Sequence, residues 1–145
     1  AGLWVACPSA GTRVVVDTSL HRMALCESGR AVETFTVRIG RGGTGKMKEG
    51  DGKTPLGTYG LGRPRPSLSF GIFIPVHYPT EPRRQAGYTG SAVGVHGPGR
   101  SELWLGSWTS LMDTTEGCVG VATPAEIERV ANWANERDVS IIELR

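Results

Sequence analysis

Long apolar runs are absent from the 145-residue sequence: none approaches the ~18 residues of a membrane-spanning helix, so we predict no membrane span. Charge of one sign is also scarce, because 16 basic and 14 acidic side chains nearly cancel and no lysine or arginine cluster stands out. This balance excludes a disordered charged tail and argues against nucleic acid as a partner. The three histidines lie far apart, and neither a CxxC nor an HxxxH spacing occurs, so no metal site is predicted.

Glycine, in contrast, is abundant, with 21 residues, about twice the usual ~7%, beside nine prolines. Strands joined by many tight turns suit this composition better than a helical bundle does. The length fits a single domain, which we place at residues 1–145, with residues 1–12 as an N-terminal extension.

Hydrophobic alternation predicts short strands along most of the chain. They lie at residues 13–17, 20–26, 31–40, 56–61, 70–76, 92–96, 117–122 and 139–144, with a break at 63–66. A helix is predicted at 124–137, because Thr123, Pro124 and Glu126 match an N-cap, a first helical residue and a capping box. The sequence therefore predicts a mostly β fold with one clear α-helix and long loops.

Period-two alternation also assigns faces to the strands between residues 20 and 40. Phe35 and Val37 share one face, whereas Arg38 lies on the other, and Cys26 points away from the face of Leu25. Cys26 is therefore placed to meet a segment lying across the sheet, and Cys7 is a candidate for that contact.

The run GRGGTG at residues 40–45 matches the G-x-G-x-x-G pattern of dinucleotide-binding loops, and residues 40–46 match the start of a P-loop. Both motifs bind phosphate at a helix that opens directly after the glycines. Gly50, Gly52 and Pro55 disfavour such a helix. We therefore interpret the segment as a glycine-rich loop and predict no cofactor.

Two glycine-rich segments each contain a reactive side chain: His96 lies in VGVHGPGR at residues 93–100, and Cys118 lies in TTEGCVGV at 114–121. A histidine within hydrogen-bond reach makes a cysteine a good nucleophile by forming a thiolate–imidazolium pair. The backbone N–H groups of Gly117 and Cys118 are candidates for an oxyanion hole. The alternative is a buried structural cysteine and a core histidine, and the spacing alone leaves both interpretations open.

These segments resemble the signature of the L,D-transpeptidase (YkuD) catalytic domain, in which a strand-ending His-Gly precedes Ser/Thr-x-Gly-Cys and an apolar residue. The matching residues are His96-Gly97 and TEGCV at 115–119. GDGKTPLGTY at 50–59 resembles the family's TP-x-G-x-Y segment, and EGD at 49–51 looks most like the YafK-type branch. The resemblance covers about residues 13–122 and implies an antiparallel β-sandwich or barrel-like sheet.

The resemblance implies acyl transfer on peptidoglycan stem peptides, without a cofactor. Cys118 would attack the carbonyl of the diamino acid at stem position three, forming a thioester and releasing the terminal D-amino acid. An amine of another stem peptide would then resolve the thioester. His96 would act as the base, and the carbonyl of Gly97 would orient its ring.

Two residues near the cysteine depart from the family pattern. Glu116 stands where many members carry histidine, and Gly120 stands where many carry arginine or asparagine. A carboxylate pointing inward would raise the pKa of the thiol, so we expect Glu116 to point to solvent. The missing side chain at Gly120 removes a contact to the substrate or to a loop, which leaves the acyl acceptor open.

Arginines near the cleft are candidate clamps for the stem carboxylates. Arg100 is the first candidate, ahead of Arg83 and Arg84. The other predicted substrate-binding residues are Thr115 in the cysteine motif, and Tyr88 and Trp108 as walls of the cleft.

With Cys118 assigned as the nucleophile, Cys7 and Cys26 are left either as a disulfide or as two thiols. A disulfide would indicate an oxidising compartment. The resemblance implies a periplasmic or extracellular protein. AGLW at residues 1–4 is neither charged nor long enough to be a signal peptide, so we expect the export signal to lie outside this chain.

Two other functions are compatible with the same residues. Water as the acceptor would make the protein an L,D-carboxypeptidase or a hydrolase, serving its own cell or acting as an antibacterial toxin. A cell-wall-binding module without catalysis would keep the fold but would not need Cys118 or His96. The sequence leaves the oligomeric state open.

Overall fold

The computed structural model describes residues 5–46, 51–80, 84–87, 93–99 and 117–145. The strands in these ranges are β1 (Thr12–Asp17), β2 (Arg22–Glu27), β3 (Arg30–Arg38), β4 (Gly57–Gly60), β5 (Arg65–Ser67), β6 (Gly71–Pro75), β7 (Gly94–His96), β8 (Val119–Val121) and β9 (Ile141–Leu144). Helix α1 spans Pro124–Glu136, between β8 and β9. The predicted mostly β class is confirmed. Within the described ranges, no helix has the length and apolar character needed to cross a membrane.

The strands form one curled sheet in the order β4-β9-β1-β2-β3-β8-β7-β6-β5. Most neighbours are antiparallel, but β1 with β9 and β7 with β8 run parallel, so the sheet is mixed. The nine-residue β3 pairs first with β2 and then, through Val37 and Arg38, with β8. This strand therefore connects the half of the sheet built from β1 and β2 to the half that contains β7 and β8.

The alternation predicted for the N-terminal strands is confirmed by the two apolar clusters that they build. Leu25, Phe35 and Val37 belong to the main core. Ala24 and Cys26 point the other way, into a smaller cluster on the opposite face of the sheet. The face of each strand thus follows from the period of two.

Cys7 and Cys26 form a disulfide, with sulfurs 2.05 Å apart, and Cys118 remains a thiol. The bond fixes the segment before β1 against β2, where Val5 and Val15 are buried beside it. The cysteines are 19 residues apart in sequence, and closing a loop of that length stabilises a fold by roughly 3 kcal/mol in the chain-entropy model. Of the two states left open by the sequence, the structure has the disulfide.

Most strand ends differ from the prediction by one or two residues, and two of the differences have a clear local cause. The second strand starts at Arg22 rather than at residue 20, because a turn with His21 at φ 52° precedes it. The break predicted at 63–66 is wrong for its second half, since β5 includes Arg65 and Pro66. β5 is the outermost strand of the sheet, and an outer strand tolerates proline because the missing N–H has no further strand to pair with.

The helix predicted at 124–137 is confirmed as α1. The Thr123 hydroxyl accepts a hydrogen bond from the backbone N–H of Glu126 at 3.2 Å, and the Glu126 carboxylate accepts one from the backbone of Ala122 at 3.0 Å. The first bond satisfies an N–H group that a helix start leaves without an intrahelical partner, and the second ties the Glu126 carboxylate to the residue before the N-cap. The stripe that packs on the sheet consists of Ile127, Val130, Ala131 and Ala134.

The glycine-rich loop, residues 40–56, folds back on itself. The N–H of Gly42 donates to the carbonyl of Gly52 at 2.7 Å, and the N–H of Thr54 donates to the carbonyl of Gly43 at 2.8 Å. The described residues of this loop contain no helix. The predicted loop is therefore confirmed for residues 40–46 and 51–56.

Candidate active site

Cys118 lies directly before β8, after a turn that requires glycine. Gly117 has a φ of +115°, a backbone conformation that L side chains rarely adopt. A Cβ on Gly117 would also lie 2.6 Å from the carbonyl oxygen of Lys53 in the glycine-rich loop. Both constraints exclude larger residues from the turn that delivers Cys118 to the start of β8.

The parallel pair β7–β8 brings the predicted base and nucleophile to one face of the sheet. His96, the last residue of β7, is opposite Gly120 of β8. Cys118 precedes Gly120 by two residues, just as Gly94 precedes His96, and the backbone of Gly94 forms a hydrogen bond to Cys118. Because side chains alternate along strands, the thiol and the imidazole emerge on the same side.

The ring of His96 is oriented by the backbone that follows it. Its Nδ1 lies 2.7 Å from the carbonyl oxygen of Gly97. A carbonyl oxygen only accepts hydrogen bonds, so Nδ1 carries the proton and donates it. In the neutral ring, Nε2 is then left with a lone pair, which is the state that a general base needs.

Aromatic rings hold the plane of the imidazole. Phe70 stacks on His96 with centroids 3.8 Å apart and planes 21° apart, and Phe73 lies further out, with a centroid distance of 6.2 Å. The His96 side chain is only 2% exposed. A Cβ on Gly94 would lie 2.4 Å from the Phe73 ring, so glycine is required there as well.

Helix α1 supports the backbone that orients the ring. A Cβ on Gly97 would lie 3.0 Å from Cγ2 of Ile127, a buried residue of the first helical turns. The carbonyl of Gly97 is therefore held by close packing between the helix and the end of β7. This contact connects the capped start of α1 to the geometry of His96.

The electrostatic surroundings of Cys118 act on its thiol in opposite directions. Burial raises the pKa of the thiol, whereas the Gly94 backbone hydrogen bond and the nearby Lys46 ammonium lower it; burial dominates, so the pKa is above its ordinary value. A thiolate–imidazolium pair is the state that the sequence predicts for this site. The raised pKa favours the neutral thiol instead, with ionisation at the moment of attack.

A buried ion pair lies next to this turn, and the sequence reasoning missed it. The Lys46 Nζ lies 3.1 Å from the Asp51 Oδ1, and the two side chains are only 3% and 10% exposed. The Lys46 Nζ is also 3.7 Å from the position that a Cβ on Gly117 would occupy. A lysine and an aspartate among loop glycines give no sequence signal of burial, because such residues are usually solvated.

The TP segment of the glycine-rich loop packs beneath the cysteine turn. The buried Thr54 hydroxyl accepts a hydrogen bond from the N–H of Gly40 at 2.7 Å. A Cβ on Gly40 would lie 3.0 Å from the Cα of Gly117. Thr54 thus fixes the loop backbone against which the turn rests.

Gly120 does not leave an open space, because Arg38 occupies it. Arg38 is the partner of Gly120 across β3 and β8, and a Cβ on Gly120 would lie 2.6 Å from the Arg38 Nε. The Arg38 side chain is 2% exposed. An arginine from the neighbouring strand therefore fills the space over Gly120, and the loss of a contact to the substrate or to a loop there stays a prediction.

A recess of about 220 Å³ lies between β5 and β6, and its lining includes Phe70, the ring that stacks on His96. The Arg65 guanidinium carbon lies 5.3 Å from the centroid of the Phe73 ring at its wall. The residues that line the recess are Arg65, Pro66, Ser67, Ser69, Phe70 and Phe73. Sequence reasoning did not find this surface, because it assigned residues 63–66 to a break.

Most of the predicted substrate-binding residues lie outside the described residues. These are Arg83, Tyr88, Arg100, Trp108, Thr115 and the neighbouring Glu116. Arg84 is described, and it is exposed in a short helical segment. Among the described residues, no three His, Cys, Asp or Glu side chains are grouped so that they could hold a metal ion.

Comparison with protein families matches residues 11–142 to the L,D-transpeptidase catalytic domain, YkuD. No individually curated protein sequence gives a significant match.

Solved structures show the same fold. The helical cell shape determining protein Pgp2 from Campylobacter jejuni has a TM-score of 0.74 at 24% identity, over 92% of this chain and 47% of that chain. Bd1075 from Bdellovibrio bacteriovorus has a TM-score of 0.68 at 20% identity, over 94% and 48%. An L,D-transpeptidase from Xylanimonas cellulosilytica has a TM-score of 0.54 at 20% identity, over 95% and 62%. The present chain spans about half the length of the first two proteins.

Proposed function

Since the chain belongs to the L,D-transpeptidase catalytic domain (YkuD) family, we propose that it is a cysteine acyltransferase acting on peptidoglycan stem peptides. The observation that carries this proposal is the hydrogen bond between His96 Nδ1 and the Gly97 carbonyl. It leaves Nε2 as an acceptor on the face of the sheet from which the Cys118 thiol emerges.

In the first half of the reaction, the Cys118 Sγ attacks the carbonyl carbon of the diamino acid at stem position three. Its proton passes to the Nε2 of His96, and the carbonyl oxygen becomes an oxyanion beside the N–H groups of Gly117 and Cys118. The carbon–nitrogen bond then breaks, and the imidazolium returns the proton to the departing D-amino acid. A thioester on Cys118 remains.

In the second half, an amine of another stem peptide attacks the thioester carbon. The Nε2 of His96 takes a proton from this amine, a new amide bond forms and the carbon–sulfur bond breaks. The proton then returns to the Cys118 sulfur. Because the thiol pKa is raised, the departing sulfur is readily reprotonated, which restores the resting site.

The Cys7–Cys26 disulfide supports an assignment outside the cytoplasm. Structural disulfides persist in oxidising compartments and are rare where thiols are kept reduced. The family acts on the cell wall, and we assign this protein to the periplasm or the cell exterior.

Mass spectrometry of tetrapeptide muropeptides incubated with the protein tests the proposal. We expect dimers with a bond between two diamino acids, no product with Cys118→Ala, and a rate lower by about 10²–10⁴-fold with His96→Gln. His77→Gln is the matched control, because His77 is an exposed histidine on the loop after β6.

The products also decide between the alternatives. Tripeptide alone would identify water as the acceptor and the protein as an L,D-carboxypeptidase. Binding to peptidoglycan that survives in Cys118→Ala, together with an inactive wild type, would contradict catalysis and support a wall-binding module.

A further inference from the structure

We propose that Lys46, held in place by Asp51, is a positioning residue that directs a buried positive charge at the Gly117–Cys118 turn and stabilises the negative charge formed there during acyl transfer. The inference deepens the proposed function and rests on it. It assigns a part in the reaction to an ion pair in the glycine-rich loop, outside the Cys118 and His96 motifs.

The burial of the pair is the first observation. The Lys46 and Asp51 side chains are 3% and 10% exposed, with the Nζ and Oδ1 3.1 Å apart. Removing two charges from water carries a desolvation cost that their mutual attraction often fails to offset. A buried pair of this kind is therefore expected to add little to the free energy of unfolding. Its position beside the Gly117–Cys118 turn suggests a role in the site instead.

The location of the ammonium is the second observation. The Lys46 Nζ lies 3.7 Å from the position of a Cβ on Gly117, on the side of the turn that also meets the Lys53 carbonyl. The backbone of Lys46 is itself anchored, because its carbonyl accepts a hydrogen bond from the buried Tyr78 hydroxyl at 2.9 Å. Lys46 is thus held at both its backbone and its side chain beneath the residue that precedes the nucleophile.

The burial of Lys46 decides whether it binds a substrate carboxylate directly or acts on the Gly117–Cys118 turn through its electric field. An ammonium with a 3% exposed side chain is not open to a carboxylate arriving with the substrate. It acts instead through its field, which is strong over a short distance in a poorly solvated site. During attack, negative charge passes from the Cys118 sulfur to the carbonyl oxygen of the substrate, and a fixed positive charge beside the turn favours both stages.

Several charged or titratable groups face Cys118 from the surrounding elements. His96 comes from β7, Arg38 lies over Gly120 from β3, and Lys46 with Asp51 comes from the glycine-rich loop. Glu116, the residue before Gly117, lies outside the described residues. Lys46 is the charge among these that lowers the pKa of the thiol, so its removal tests the proposed effect.

The test is the pH dependence of Cys118 alkylation by iodoacetamide, followed by mass spectrometry of the modified peptide. In Lys46→Met we expect the midpoint of the rate profile to rise by roughly one pH unit and the rate at pH 7 to fall about tenfold. Lys53→Met is the matched control, because it removes the same charge from the same loop at a partly exposed position. Its midpoint is expected to equal that of the wild type.

A second variant provides a test if Lys46→Met does not fold. Lys46→Met combined with Asp51→Asn removes the pair without leaving a buried carboxylate, and an upward shift smaller than that of Lys46→Met is expected, because no negative charge remains beside the turn. A wild-type midpoint in this folded double variant would overturn the inference.

Turnover of muropeptides separates this inference from the proposed function. A shifted midpoint with a fall in kcat and an unchanged KM supports both. Normal turnover with an unshifted midpoint rejects the role of Lys46 and leaves the acyltransferase standing. The third outcome is that the alkylation midpoint of Cys118 shifts in Lys46→Met while stem peptides never acylate the wild type. This result would keep the charge effect of Lys46 and contradict the proposed acyltransferase.

Discussion

At the scale of single residues, the Cys118 thiol makes stability depend on pH. Its folded pKa is raised by burial, so the folded chain holds the thiol proton more tightly than the unfolded chain does. The resulting stability is fully present below the unfolded pKa of about 8.5 and is lost as pH rises through the folded value. We expect the free energy of unfolding, measured in urea, to fall more steeply above about pH 8.5 in the wild type than in Cys118→Ala. Parallel curves would contradict this prediction.

Gly117 offers a second test at this scale. Gly117→Ala would place a methyl group 2.6 Å from the Lys53 carbonyl at a φ of +115°. We expect the free energy of unfolding to decrease by about 2–3 kcal/mol, together with loss of muropeptide turnover, because the turn that positions Cys118 must shift. Gly43→Ala is a useful control, since Gly43 also has a positive φ but has no atom within 4 Å of the added Cβ. Equal loss of activity in both variants would refute a specific role for the turn.

The sequence alone identified the residues whose reactive side chains stand out among glycines and small apolar residues. A cysteine and a histidine among glycines were visible as His96 and Cys118. Lys46 and Arg38 were not, because their burial depends on which segments cover them, and charged residues are ordinarily solvated. The stacking of Phe70 on His96 was also not predicted, since it depends on how the turn between β5 and β6 packs against the end of β7.

At the scale of elements, the contact between β3 and β8 can be tested by moving the arginine from position 38 to position 120. Gly120→Arg should decrease the free energy of unfolding by about 2 kcal/mol, because any Cβ at 120 meets the Arg38 side chain. Combining it with Arg38→Thr should recover at least half of that loss, since the arginine is then supplied by β8. A double-mutant cycle in urea measures the coupling energy. Additive effects of the two changes would show that the side chains do not share the space.

The elements themselves were largely predictable, whereas their long-range pairing was not. Thr123, Pro124 and Glu126 are local signals, and they marked the start of α1 correctly. The parallel pairing of β1 with β9 joins residues at opposite ends of the chain, and no local pattern encodes it. β5 was missed because a Pro-rich run resembles a break unless the strand is known to be the outermost one.

At the scale of the whole molecule, the Cys7–Cys26 disulfide should contribute to stability without shaping the site. It joins the segment before β1 to β2, and β3 separates β2 from β8 in the sheet. Replacing both cysteines by serine should lower the free energy of unfolding by about 3 kcal/mol while turnover at low temperature persists. Urea unfolding with and without reductant measures this, because reductant should destabilise the wild type and leave the double variant unchanged. A double variant as stable as the wild type would contradict the prediction.

The same bond has a consequence for how the protein matures. A newly made chain with three thiols can close one bond in three ways, joining Cys7 to Cys26, Cys7 to Cys118 or Cys26 to Cys118. Two of these products consume Cys118, the proposed nucleophile, and both also leave the N-terminal segment without its covalent link to β2. The three products have the same mass, but only the one with a Cys118 thiol is expected to be active. The specific activity of a preparation should therefore measure the fraction of correctly paired protein. The proposed acyl transfer at Cys118 therefore requires that folding join Cys7 to Cys26 and leave the third thiol reduced.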